Sequence, residues 1–252
     1  MTGVDSRTDI NDLVALSSLF PFVEWGLLYS PKRAGNPGRY MSFDDIMNVM
    51  GVLGLMPNRI NISIHFCGKS VINLINGHSN ENELALLSRV RKMNGRIQLN
   101  FNASKDEDFS IDALNSFIES NKDIEIITQK HQGNALIENS VSKLKNHAVL
   151  FDSSGGLGIA NRNWNEEVKN IKHGFAGGIG SENIRESLLE LSGMGKNHAN
   201  PFIWIDMEGQ LRVKDKNDVD WFSTLKAEAC LIQVKQWLSE LEAPEKKILA
   251  VA

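Results

Sequence analysis

The segment AVLFDSSGGLGIANRNWNEEVKNIKHGFAGGIGSENI, residues 148 to 184, decides how the chain is read. Two short apolar runs, Ala148–Phe151 and His173–Ala176, each break into glycine, at SSGGLG (Ser153–Gly158) and at GGIGS (Gly177–Ser181). The residues after the second cluster, SENIRESLLELSG, predict a helix. Ser181 stands near its N-cap, and Ile184, Leu188, Leu189 and Leu191 supply its apolar positions. Strand, glycine turn and helix, repeated at close spacing, predict βα units. Glycine in such turns lets backbone N–H groups approach a ligand closely. The plainer reading of the glycines is tight turns alone. Their position at the ends of consecutive strands, where α/β proteins place their sites, favours function.

Outward from that segment, the alternation continues in both directions. Strands are predicted at Phe22–Tyr29, Ile60–Cys67, Arg96–Asn102, Ile124–Thr128 and Pro201–Asp206. Helices are predicted at Ile10–Leu19 behind an Asp9 cap, Ser42–Leu55, Glu83–Met93, Ser110–Ser120 and Ile137–Lys145. A last long helix, Asp218–Leu241, carries the stripe Ala227, Cys230, Leu231, Val234, Leu238 and Leu241. Strand starts recur about 24 to 38 residues apart without a break in composition, which predicts one domain spanning 1–252. Seven strands are clear, and Met1–Val4 is the one stretch left before the first helix for an eighth. An α/β fold of the (β/α)8 barrel type follows, with a very short first strand, and about 250 residues suit it. An open doubly wound sheet competes, but no GxGxxG follows an early strand.

Composition narrows the partners. At 42% hydrophobic residues the 252-residue chain can bury a large core. A formal net charge of −4 with scattered basic residues leaves no footprint for nucleic acid. The apolar runs are strand-length, so no membrane span is expected, and the polar start MTGVDSRTD lacks a signal peptide's apolar core. Two cysteines, Cys67 and Cys230, make no disulfide framework and have no zinc spacing, which predicts a reduced, cytoplasmic setting. No cofactor and no metal are expected, a site built from His65, Asp152 and Asp206 being remote. The partner expected is a small molecule, and oligomeric state is not legible.

In a parallel barrel alternate strand residues face inward and the last of them reach the mouth. Here many such positions are polar: Glu24, His65, Cys67, Gln98, Asn100, Asn102, Thr128, Asp152 and Asp206. Burying them costs free energy unless they meet one another, water or a ligand. A self-satisfied internal network is the alternative to a mouth built for a small polar ligand. Asp152, at a strand end before a glycine loop, is the candidate acid or base. His65, Cys67 and Glu24 are its candidate partners, set against core histidine, inert thiol and structural carboxylate. Lys32, Arg33 and Arg39, in the loop after the Phe22 strand, are placed to hold a carboxylate or phosphate, and Asn100 and Asp206 to bind substrate. No lysine falls inside a predicted strand, which argues against a Schiff-base aldolase.

These residues resemble phosphoribosylanthranilate isomerase and, more closely, a bacterial branch related to it. MTG (Met1–Gly3) sits where that family opens with KICG, and GLLYSPKRAGNPGRY (Gly26–Tyr40) matches its GFVF-PKS-RY segment. IQLNF (Ile97–Phe101) is similar to VQLHG, LFDSSGG (Leu150–Gly156) to the LLDT strand and its glycine loop, and FAGGIGSENI (Phe175–Ile184) to LAGGLNPENV. The resemblance implies a barrel binding a ribulose-phosphate-type ligand, a general-acid role for Asp152 and substrate-carboxylate binding by Arg39. It also implies phosphate binding at Gly177, Gly178, Gly180 and Ser181, where the following helix starts. The sequence departs from the pattern in two places. The family's cysteine base falls at Thr2, a very poor base at neutral pH, and WIDMEGQLR puts Asp206 and Glu208 where the phosphate cradle would close. The expected function is therefore a small-molecule barrel, isomerase-like and working by acid/base chemistry on a sugar-derived or phosphorylated carboxylate. The alternatives are a non-catalytic ligand-binding or regulatory barrel that has lost the isomerase base, or a structural role.

Overall fold

The structure is a computed structural model and describes residues 1–34, 38–137, 144–152, 172–195 and 203–242. Eight strands form one parallel sheet in sequential order: β1 (Thr2–Val4), β2 (Glu24–Tyr29), β3 (Asn61–Cys67), β4 (Arg96–Asn100), β5 (Glu125–Lys130), β6 (His147–Asp152), β7 (Lys172–Ala176) and β8 (Ile203–Ile205). The Thr2 N–H donates to the Met207 carbonyl at 2.8 Å, just beyond β8, so the first strand meets the last. This is the (β/α)8 barrel, with the short first strand that Met1–Val4 was expected to form.

Helices α1 (Ile10–Leu19), α2 (Phe43–Leu53), α3 (Lys69–Ile75), α4 (Glu81–Lys92), α5 (Ile111–Ser120), α6 (Ile184–Gly195) and α7 (Thr224–Glu242) lie along the sheet. Their starts follow local chemistry. Asp9, Ser42 and Ser110 each accept a backbone N–H of the first turn, and Asn80 with Glu83 completes a reciprocal capping box. Each cap stabilises its helix by about 1 kcal/mol. The main core lies between helices and the sheet's outer face, built on Trp25, Leu27, Ile62, Ile64, Phe66, Ile97, Leu99 and Phe175. Inside the barrel the apolar part is small. Ile127, Ala148 and Leu150 pack with Ala176 and Trp204, an apolar patch on the β5–β8 side beneath the mouth. The β1–β4 half carries Thr2, Ser63, His65 and Gln98, all buried.

Three stretches differ from the sequence reading. Helix α3 was not expected. It begins directly after Gly68, whose φ of +62° suits glycine. The last helix begins at Thr224, not Asp218, because Arg212–Lys214 (β9) and Asp220–Phe222 (β10) form an antiparallel hairpin first. RVKDKNDVDWF alternates around a polar DKND turn with Asp218 left-handed at φ +61°, a hairpin signal that the helical stripe overrode. Strand β5 runs on through Lys130, so a lysine does end a strand; its ammonium lies 5.2 Å from the ring centroid of Phe151. The helix predicted at Ile137–Lys145 falls largely outside the described residues, and Gln132–Ile137 is a 3-10 turn. No helix among the described residues is long and apolar enough to cross a membrane.

Candidate functional site

The C-terminal ends of the strands surround a cavity of about 1060 Å3. Strand β3 contributes His65 and Cys67, β4 contributes Gln98 and Asn100, β5 Gln129, and β6 Leu150 and Asp152. Ala176, Gly177 and Gly178 follow from β7, and Asp206, Met207 and Glu208 from the end of β8. The loops add Lys32, Arg33, Arg39, Tyr40 and Lys105, and the start of α3 adds Lys69. The register makes this convergence unavoidable: His65 pairs with Gln98 and Cys67 with Asn100, so alternate residues of neighbouring strands share the inner face.

The sequence candidates divide sharply in this geometry. Asp152 is 4% exposed and lines the cavity at the end of β6; the glycine run after it, Ser153–Gly158, lies outside the described residues. His65 is 3% exposed, and burial pulls it down to about 4 against the raising charges of Asp206 and Glu24. It is thus a neutral imidazole at physiological pH, and its Nδ1 has no hydrogen-bond partner. Gly26 makes room for it: a Cβ there would lie 2.5 Å from Thr2 Oγ1 and 2.9 Å from His65 Nε2. Asn100 accepts from Gln98 Nε2 at 2.8 Å and donates toward Cys67 Sγ at 3.6 Å. Thr2 donates its hydroxyl to Asp206 at 2.6 Å. Lys32 is exposed at the rim and makes no ion pair among the described residues.

Four expectations are corrected. Glu24 is not at the mouth. It opens β2 at the opposite end of the barrel, where Arg96 donates to both of its oxygens at 2.7 and 2.8 Å. Cys67 is no thiolate base, since burial pushes its thiol up to about 12 and Glu208 adds to the effect. Arg39 lines the cavity but its guanidinium is held by protein carboxylates, Glu208 at 2.7 Å and Asp220 at 3.0 Å. The phosphate cradle is incomplete: the Gly180 N–H is taken by Asn183 Oδ1 at 2.9 Å, and Ser181 is exposed with its carbonyl bonded to Gln233. Neither Gly180 nor Ser181 lines the cavity; Gly177 (φ +123°) and Gly178 (φ +62°) do.

Sequence reasoning missed the network that closes the β8 side. Arg212, 6% exposed, donates to Asp5 Oδ2 at 2.9 Å and to the Gly3 carbonyl at 2.7 Å, and its Nε lies 3.1 Å from Asp220. Asp220 in turn holds Arg39, so the hairpin after β8 is tied to the loop after β2. Burial, with Asp206 beside it, keeps the Glu208 carboxyl above its ordinary value despite Arg39. Apart from Arg212 and Asp220, which face each other across the β9–β10 hairpin, these pairs join residues far apart in the chain, Asp5 with Arg212 and Arg39 with Glu208 and Asp220, and no local pattern announces them. Among the described residues no three His, Cys, Asp or Glu side chains gather as a metal-holding group.

No protein-family model matches the chain, and no curated protein matches it. Among solved structures, a phosphoribosyl anthranilate isomerase, crystallised in complex with reduced 1-(o-carboxyphenylamino)-1-deoxyribulose 5-phosphate, superposes with a TM-score of 0.54 at 13% sequence identity. The match covers 94% of this chain and 100% of that one. At that identity the likeness is one of fold, and this chain is a (β/α)8 barrel built like that isomerase.

Proposed function

We propose that the mouth binds a hydroxylated small molecule and that the chain, one domain across 1–252, acts on it as an isomerase-like enzyme by acid/base chemistry. Asp152 is the acid/base at the rim, and His65, neutral and deeper, takes or shares the second proton position. One observation carries this reading. Polar residues from β3, β4, β6 and the end of β8 line one cavity. Burying such groups costs free energy unless they are paired, so their convergence from far-apart strands on one cavity points to a polar ligand.

The anionic group of a sugar-derived carboxylate or phosphate is better served by Lys32 and Lys69 than by the β8 side. Both border the cavity, Lys32 from the loop after β2 and Lys69 from the first residue of α3. At the β8 side Asp206 and Glu208 stand opposite Gly177 and Gly178, and a like charge about 5 Å away costs about 3 kcal/mol at an effective dielectric near 20. A non-catalytic ligand-binding barrel is the second reading. Its support is the thiol of Cys67, pushed up to about 12 by burial, and the threonine at position 2, two groups that do not serve as bases at neutral pH.

A thermal-shift screen of hydroxy acids, sugar phosphates and anthranilate analogues tests the proposal, repeated on Asp152→Asn and His65→Gln. Ligands that bind the native state raise the melting temperature with occupancy. Hits lost in both variants support the mouth. Turnover of a hit, followed by proton NMR, decides for the enzyme over the binding barrel, and hits indifferent to both substitutions remove the site.

A further inference from the structure

The mouth cavity has two sides of opposite charge. In the closed ring of eight strands β2 to β4 face β6 to β8, and the charged groups of the lining sort the same way. On the first side come Lys32 after β2, Lys69 at the start of α3 and Lys105 after β4, all exposed at the rim. None of the three makes an ion pair among the described residues. Arg33 is engaged by Tyr40, over whose ring it lies and to whose hydroxyl it donates at 2.8 Å. Asp106 is the carboxylate on this side, and it accepts the backbone N–H of Asn102. Three lysines against one carboxylate leave two positive charges, the complement of a phosphate dianion.

On the far side the excess is negative. Asp206, Glu208 and Asp220 line the cavity, and Arg39 is the cation set among them. Arg212, which also reaches Asp220, is matched behind them by Asp5. Asp206 spends Oδ1 on Thr2 and Glu208 spends Oε1 on Arg39. Their other oxygens, Asp206 Oδ2 and Glu208 Oε2, have no donor among the described residues and remain open to solvent. Burial, with Asp206 beside it, raises the Glu208 carboxyl despite Arg39, a crowding that a cation relieves. No three His, Cys, Asp or Glu side chains gather there as a metal-holding group among the described residues, whereas an ammonium, with three N–H donors, needs no such cage.

We propose that the ligand of the mouth is an aminated sugar phosphate, its protonated amine between Asp206 and Glu208 and its phosphate against Lys32, Lys69 and Lys105. This rests on the mouth reading above and names its substrate class. The two charges belong to opposite rims, so they sit at opposite ends of a sugar-length skeleton; an α-amino acid carries both on one carbon and serves one rim alone. The orientation also keeps the phosphate away from Gly177 and Gly178, where Asp206 and Glu208 repel it.

The test is calorimetric titration of the full chain with glucosamine 6-phosphate, glucose 6-phosphate and glucosamine. One-to-one binding of glucosamine 6-phosphate is expected, about tenfold or more tighter than either of the other two. Asp206→Asn combined with Glu208→Gln keeps the acceptors for Thr2 and Arg39, and should bring the two phosphates within about twofold of each other. Lys69→Ala combined with Lys105→Ala, on the exposed rim, should erase the margin over glucosamine. The two pairs of substitutions are independent, so a loss of folding in one leaves the other to decide. No binding of glucosamine 6-phosphate, equal binding of the two phosphates, or a preference that survives both pairs each overturns the proposal. Hits of the thermal screen that are lost in Asp152→Asn and His65→Gln would then leave the mouth reading intact, whereas hits indifferent to those substitutions remove the mouth itself.

Discussion

The two ends of the barrel interior use the same residue types to opposite ends. At the floor, Arg96 pairs with Glu24 and, at 2.9 Å, with Glu125, and Lys172 closes the chain of charges on Glu125. Trp204 lies against the Arg96 guanidinium, 4.7 Å from ring centroid to Cζ. Burial alone would raise the Glu125 carboxyl, but hydrogen bonds from Lys172 and Arg96 hold it below its ordinary value. At the mouth the lysines make no ion pair among the described residues, the cysteine is protonated, and His65 Nδ1 is unpartnered. A complete network of buried charges organises a core; an incomplete one is the mark of a site awaiting a ligand.

The sharpest way to break this contrast is to remove the cation at the centre of the floor. Arg96→Ala leaves Glu24 and Glu125 facing each other with about a fifth of each side chain exposed (24% and 19%). Denaturant unfolding should show a loss of about 4 kcal/mol. A loss below about 1 kcal/mol would reduce the floor to an ordinary surface network.

Acid titration separates the two ends next. The folded pKa of His65, about 4, lies below its ordinary 6.5, so in that interval the unfolded chain binds a proton that the folded chain refuses. Stability therefore falls as pH drops from 6.5 toward 4, by an amount on the order of 3 kcal/mol. The lowered carboxylates, Glu125 and Asp220, lose their contribution only as pH falls below their ordinary values of 4.5 and 3.8. His65→Gln should flatten the fall above pH 4.5 and keep the fall below it. An unchanged profile would mean that folding does not shift the His65 pKa.

A smaller effect tests how tightly the interior is filled between the two ends. A Cβ on Gly174 would lie 2.2 to 2.4 Å from the Trp204 ring, against the guanidinium of Arg96. Gly174→Ala should lower stability by about 2 kcal/mol, read from the unfolding midpoint. At the mouth, Lys32→Ala should change stability by less than about 0.5 kcal/mol. It should nevertheless weaken every anionic hit of the thermal screen, and a stability loss there would place Lys32 in the structural network instead.

The architecture was legible because it rests on local patterns. Alternating polar and apolar residues, cap residues such as Asp9 and Ser42, and glycine after Ala176 are read within a few positions, and backbone hydrogen bonding then admits few arrangements. Candidate residues such as His65, Asn100 and Asp152 were legible too, because period-two parity and a strand end assign a face and a depth. Which of them are already partnered was not. Arg39 to Asp220 and Thr2 to Asp206 are contacts across 181 and 204 residues. The hairpin at 212–222 likewise hid behind a helical stripe that continues into α7. Charge pairing and burial depend on distances in three dimensions, to which one-dimensional spacing is blind. The residues and the barrel they build are therefore written in the sequence, whereas tertiary structure alone decided which charges form the floor and which are left open at the mouth.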